Sequence, residues 1–120
     1  MGYMRHHAIV VTTYSASHIA DAHVKATALG LNPTPIQESA INTYVSFAVL
    51  PDGSKEGWDE SDTGDTRRDA FIAWMNAQRF SDGSSPLDWA EVQYGDDEGE
   101  TCITRHSDEH LAIEDASDEL

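Results

Sequence analysis

The sequence predicts an α+β domain: two helices packed on one face of a mostly antiparallel sheet, in the order β-α-β-(β)-α-β-β. Three observations carry this reading. Residues 7–14 are β-branched and apolar on both faces, as in a central strand. Two segments place small and apolar residues at helical spacing. Residues 87–106 alternate, turn and alternate again, as a hairpin does. Two helices over one sheet face give a two-layer sandwich, and 120 residues suit a single core.

After HAIVVTTY at 7–14, Ser15 or Ser17 can cap a helix running to about Leu29, with Ile19, Ala22, Ala26 and Leu29 along one stripe. Gly30 supplies the left-handed stop, and Pro33 and Pro35 prevent resumption. TYVSFAVL at 43–50 makes the next strand, with Val45, Phe47 and Val49 facing one way and Tyr44, Ser46, Ala48 and Leu50 the other. Pro51-Asp52-Gly53-Ser54 is a turn, and KEGW at 55–58 is the bracketed strand returning from it. Ser61 to Asp65 offers caps for a second helix, whose Phe71, Trp74, Met75 and Gln78 lie at i, i+3, i+4 and i+7. SDGSSP at 81–86 is a loop. LDWAEVQY at 87–94 puts Ala90, Val92 and Tyr94 on one face and Trp89, Glu91 and Gln93 on the other; ETCITRH at 100–106 pairs back. The domain is expected over 1–106. An acidic tail follows at 107–120, where Ser107 is placed to cap a short helix containing Leu111 and Ile113. The sheet face away from the helices carries residues such as Tyr44, Leu50, Trp89 and Ile9 or Val10, so a homo-oligomer that buries it is expected.

Charge narrows the function classes. Seven basic residues face 22 acidic ones, a formal net of −15. Seven scattered cations cannot build a surface that holds duplex DNA by its phosphates, so no direct nucleic-acid binding is expected. No run of 18 apolar residues exists to span a membrane, and no secretory leader is expected. The lone Cys102 excludes an internal disulfide and favours a reducing, cytoplasmic setting. The excess is uneven: residues 1–50 are neutral, residues 51–95 carry four bases and ten acids, and residues 96–120 carry Arg105 against ten acids. That last block reads as a solvated tail, as a phosphate-like surface offered to a nucleic-acid-binding protein, or as the acidic surface of a halophile.

Motifs for chemistry are sparse. The chain has no G-x-S-x-G elbow, P-loop, H-E-x-x-H, G-x-G-x-x-G or C-x-x-C, so no enzyme activity and no cofactor are expected. No metal site is expected either. His6 and His7 point to opposite faces of a strand, His18 and His23 lie on different sides of a helix, and His106 ends a strand before His110. Cys102 reads as a small hydrophobe in mid-strand.

The segment PDGSKEGWDESDTGDTRR at 51–68 stands apart, because it holds Lys55, Arg67 and Arg68 beside Trp58. Clustered cations next to an aromatic describe a pocket for an anion with a stackable ring, such as a nucleotide. Gly53, Gly57 and Gly64 let backbone N–H groups approach a phosphate near a helix start, Trp58 or Trp89 stacks on the base, and His7 joins the candidate ligand-binding set. The bland alternative is that these cations neutralise neighbouring acids, that Trp58 plugs the sheet–helix interface, and that Asp62, Asp65 and Asp69 oppose a bound anion.

The HHAIVVT start, the PDGSKEGWDESD-x-GD-x-RR-x-AF segment and SSPLDW-x-EVQYGDDEGET resemble a family of small acidic proteins encoded by tailed phages and prophages. The resemblance covers roughly residues 5–106. It carries no settled activity and implies context: an accessory protein acting in the cytoplasm of an infected cell, where such proteins counter host defence. Two functions are expected from it. One is an oligomer that sequesters a nucleotide-like signalling molecule; the other is an acidic protein–protein inhibitor that mimics nucleic acid and occupies a host nuclease or defence effector.

Overall fold

The computed structural model describes residues 5–55, 57–95 and 101–107. They form β1 (His6–Thr13), α1 (Ala16–Ala28), β2 (Gln37–Glu38), β3 (Val45–Val49), α2 (Asp59–Ala77), β4 (Asp88–Tyr94) and β5 (Cys102–His106). The five strands make one antiparallel sheet of order β2-β3-β1-β4-β5, with β1 at its centre, and two helices complete the expected α+β fold.

Local chemistry sets α1. The Ser15 hydroxyl accepts the His18 N–H at its start. At its end Gly30, at φ +87°, gives its N–H to Thr27, and Leu31 gives its N–H to Ala26. That pair of bonds closes a helix whose chain must turn left-handed, which glycine does without Cβ strain.

Alternation sets the faces of the sheet. Ile9 pairs with Val49 on one side and Glu91 on the other, and Val11 likewise pairs with Phe47 and Trp89. These residues point to the helices, where Ile19, Ala22 and Ala26 of α1 and Phe71, Ile72 and Met75 of α2 close the core with Leu87. The opposite face carries Val10 between Ala48 and Ala90 in one row of the register, with Val92 opposite Ala8 in another, and among the described residues no helix covers it.

Four expectations are corrected. The bracketed strand is not at 55–58. There Gly57 takes φ +92° and Trp58 gives its N–H to the Lys55 carbonyl, so the segment turns; the extra strand is β2, on the edge beside β3. Helix α2 starts at Asp59, ahead of the Ser61–Asp65 caps, with no side-chain cap on Trp58. Asp59, Glu60 and Asp62 in its first turn offset the positive end of the helix dipole instead. Ile9 and Trp89 belong to the core rather than to the uncovered sheet face. Cys102 is exposed near the start of an edge strand rather than packed. The hairpin forms with a bulge at Glu91/Val92, while the connection at 96–100 and the tail helix proposed for 107–120 lie, but for Ser107, outside the described residues.

Candidate functional site

The sequence-predicted residues separate into three places. Trp58, 46% exposed, and Arg67 line one cavity of about 590 Å³ between the 52–54 turn and the first turns of α2. Lys55 is not among the residues lining it, and its Nζ stands 5.8 Å from the Trp58 ring centroid, in cation–π range. The exposed indole does not plug the sheet–helix interface.

Arg67 is fixed by a close approach. Its Nη1 donates to the Gly30 carbonyl at 3.2 Å, and a Cβ on Gly30 would fall 2.9 Å from the Arg67 Cζ. The glycine that ends α1 therefore also seats the guanidinium against that turn.

The floor of the cavity is an Asx turn. Asp52 Oδ1 accepts the Ser54 N–H at 2.9 Å and the Ser54 hydroxyl at 2.6 Å. Burial works to raise the Asp52 carboxyl, but the two Ser54 hydrogen bonds and the Arg68 guanidinium outweigh it and hold it below the usual carboxylate range. Gly64 lets the helix come this close: a Cβ there would lie 2.8 Å from Asp52 Oδ2. Asp59 and Glu60 line the same cavity, so one guanidinium and three carboxylates face it.

Arg68 turns away. It is buried, pairs with Asp65, and lies 3.5 Å from the Glu91 carboxylate through Nε. Glu91 in turn accepts Arg105 Nε at 2.8 Å, Arg105 Nη2 at 3.0 Å and the Thr104 hydroxyl at 2.8 Å. Arg105 Nη1 reaches Asp69 at 2.8 Å. The opposition expected from Asp65 and Asp69 is thus spent on arginines.

His7 stands opposite Gln93 on the helix side of the sheet, outside the residues lining the Trp58 cavity. Trp89 is 5% exposed and offers no stacking surface. Asp52, Thr63 and the buried Glu91 pairing were missed by residue-type reasoning. The signals were present: PDGS is an Asx-turn sequence, and Glu91 shares the inward phase of Trp89.

Three other histidines serve the fold. His18 Nδ1 bonds the Ser15 hydroxyl at 2.7 Å, and His23 Nε2 bonds the Thr34 carbonyl at 2.9 Å with its ring edge-on to Phe47. His6 packs on Tyr94 with ring centroids 5.3 Å apart. Among the described residues no three His, Cys, Asp or Glu side chains are grouped to hold a metal, and no helix is long and apolar enough to cross a membrane. No family model, curated protein or solved structure matches the chain.

Proposed function

We propose that this protein is a non-catalytic binding module whose Trp58–Arg67 cavity takes a nucleotide-like ligand. The observation that supports it is the pairing of an exposed indole with a fixed guanidinium on one cavity. The ring supplies a stacking face and the arginine a forked donor for a phosphate oxygen. The carboxylates of Asp52, Asp59 and Glu60 limit the charge such a ligand carries. Against one guanidinium and three carboxylates, the single charge of a phosphodiester is opposed less than the several charges of a triphosphate, so cyclic nucleotides fit better than nucleoside triphosphates.

On the resemblance to small acidic phage proteins, we read the ligand as a signalling nucleotide of host defence that the protein sequesters in the host cytoplasm. The face of Val10, Ala48, Ala90 and Val92, which no described helix covers, supports a homo-oligomer for this sponge.

Native mass spectrometry with a panel of cyclic mono- and dinucleotides tests the reading. A ligand retained at fixed stoichiometry, and weakened about tenfold or more by Trp58→Ala and by Arg67→Ala, is expected. Silence across the panel, or binding indifferent to both substitutions, overturns it.

The second reading is an acidic inhibitor that presents a nucleic-acid-like surface to a host nuclease or defence effector. The exposed acids Asp59, Glu60 and Asp62 on one helix end, within a net charge of −15, favour it. Capture of such a target from host lysate must then fall steeply between low and high salt.

A further inference from the structure

A second cavity, of about 380 Å³, opens at the other end of the sheet where β1 ends, β3 begins and the 80–88 loop passes. It differs from the first in having several aromatic walls and no guanidinium. Tyr14, Tyr44 and Phe80 line it together with Asp82 and Asp88, and no lysine or arginine is among its described lining residues.

The aromatic walls are set at an angle. The Tyr14 and Tyr44 rings stand 6.4 Å apart, centroid to centroid, and 68° from parallel. Phe80 is held edge-on against His18 at 5.3 Å. The floor is buried: the Thr13 hydroxyl donates to the Pro86 carbonyl at 2.6 Å. The chain enters Tyr44 through Asn42 and Thr43, both left-handed at φ 65° and 55°. That conformation is costly for a β-branched residue, and here it immediately precedes a cavity-lining ring.

Asp82 supplies fixed negative charge. Its Oδ1 accepts the Ser84 hydroxyl at 2.6 Å and the Ser84 N–H at 3.0 Å, and these bonds hold its carboxyl below the usual range. Anionic ligands are therefore repelled. A bare divalent cation is poorly served, because it needs about six oxygen ligands and much of this wall is aromatic. A large, weakly hydrated organic cation is well served: ring faces attract it through their quadrupoles, and a carboxylate supplies the counter-charge.

We propose that the Tyr14–Tyr44–Phe80 cavity binds a methylated ammonium group, with Asp82 as its counter-charge. The site is independent of the Trp58 cavity.

The test is an NMR titration of the whole protein with choline and, separately, with N-acetyl-trimethyllysine amide. The neutral carbon isostere of choline, 3,3-dimethylbutan-1-ol, is the control. Either cation is expected to shift the amides of Tyr14, Tyr44 and the 80–86 loop, and the tighter of the two identifies a free small molecule or a modified side chain as the source. Tyr14→Ala and Asp82→Asn should each weaken binding by about tenfold. Tyr14 is 62% exposed, so its removal leaves the core intact, and an unchanged melting temperature checks that. Absence of shifts with both cations, an equal response to the isostere, or full binding by Tyr14→Ala overturns the proposal.

Discussion

Glu91 and Arg105 face each other across the β4–β5 register and join through two hydrogen bonds, Nε–Oε1 at 2.8 Å and Nη2–Oε2 at 3.0 Å. The Glu91 side chain is only 4% exposed and points to the helix side of the sheet, in phase with Trp89. Arg68 approaches the same carboxylate from α2, and Arg105 reaches back to Asp69 on that helix. The cluster therefore ties edge strand β5 to α2 where apolar packing gives out.

Removing the charge at its centre exposes the cost of that arrangement. Glu91→Gln leaves buried Arg68 and half-exposed Arg105 short of a counter-charge. Loss of a partner from a fully buried pair costs about 3–5 kcal/mol, and the exposure of Arg105 reduces this to about 2–3 kcal/mol. Urea denaturation measures it. A loss below about 0.5 kcal/mol, the level of an ordinary surface substitution, removes the cluster as a support of the fold.

The same carboxylate makes stability depend on pH. Burial acts to raise the Glu91 carboxyl, but hydrogen bonds from Arg105 and Thr104 and the charges of Arg105 and Arg68 outweigh it, so it stays below its ordinary range. The Arg105 guanidinium is raised in return, first by its hydrogen bonds to Glu91. A carboxyl lowered on folding contributes stability that is full above its unfolded value, about 4.3, and is lost as pH falls through the folded value. Urea midpoints taken from pH 7 down to pH 3 should fall more steeply for the wild-type chain than for Glu91→Gln. Parallel curves contradict the assignment.

Gly30 and Arg67 should be coupled. Gly30→Ala places an L-residue at φ +87° and puts its Cβ 2.9 Å from Arg67 Cζ. The backbone alone costs about 1–2 kcal/mol. In a double-mutant cycle the substitution should cost less in an Arg67→Ala background, with a coupling of about 0.5 kcal/mol or more. Strict additivity means that the guanidinium does not rest on that turn.

The sheet face that no described helix covers predicts self-association. Val10, 47% exposed, sits on the central strand between Ala48 and Ala90. Strands of 8, 2, 5, 7 and 5 residues, at about 3.3 Å per residue and about 4.8 Å apart, present roughly 430 Å² per copy, or about 860 Å² in a pair, the size of a weak rather than a permanent interface. Val10→Glu should convert an oligomer to a monomer in light scattering, because a charge at the centre of a dry patch is left unpaired. A wild-type monomer at high protein concentration refutes the self-association directly.

Much of the fold was legible because its causes are local. Ser15 and Gly30 bound α1 through bonds made within a few residues, and alternation in 45–49 and 88–94 separates the two strand faces whatever else the chain does. The start of α2 was not legible, since several acids and serines compete for it and the outcome depends on how Trp58 leaves the 52–55 turn. Trp89 was assigned the correct set of strand neighbours, yet which set faces the helices is settled only by where α2 lies.

Local sequence sets an acidic α+β chain with two helices, and the segment in which an aromatic and several cations gather. Tertiary structure alone decided which of those cations face a cavity. Arg67 and Arg68 are adjacent in sequence, but consecutive helix residues point about 100° apart, so one lines the cleft and the other is buried against Glu91. The same holds for Tyr14, Tyr44 and Phe80: no local pattern links positions so far apart, and the antiparallel pairing of β1 with β3, together with the return of the 80–88 loop, brings their rings to one place.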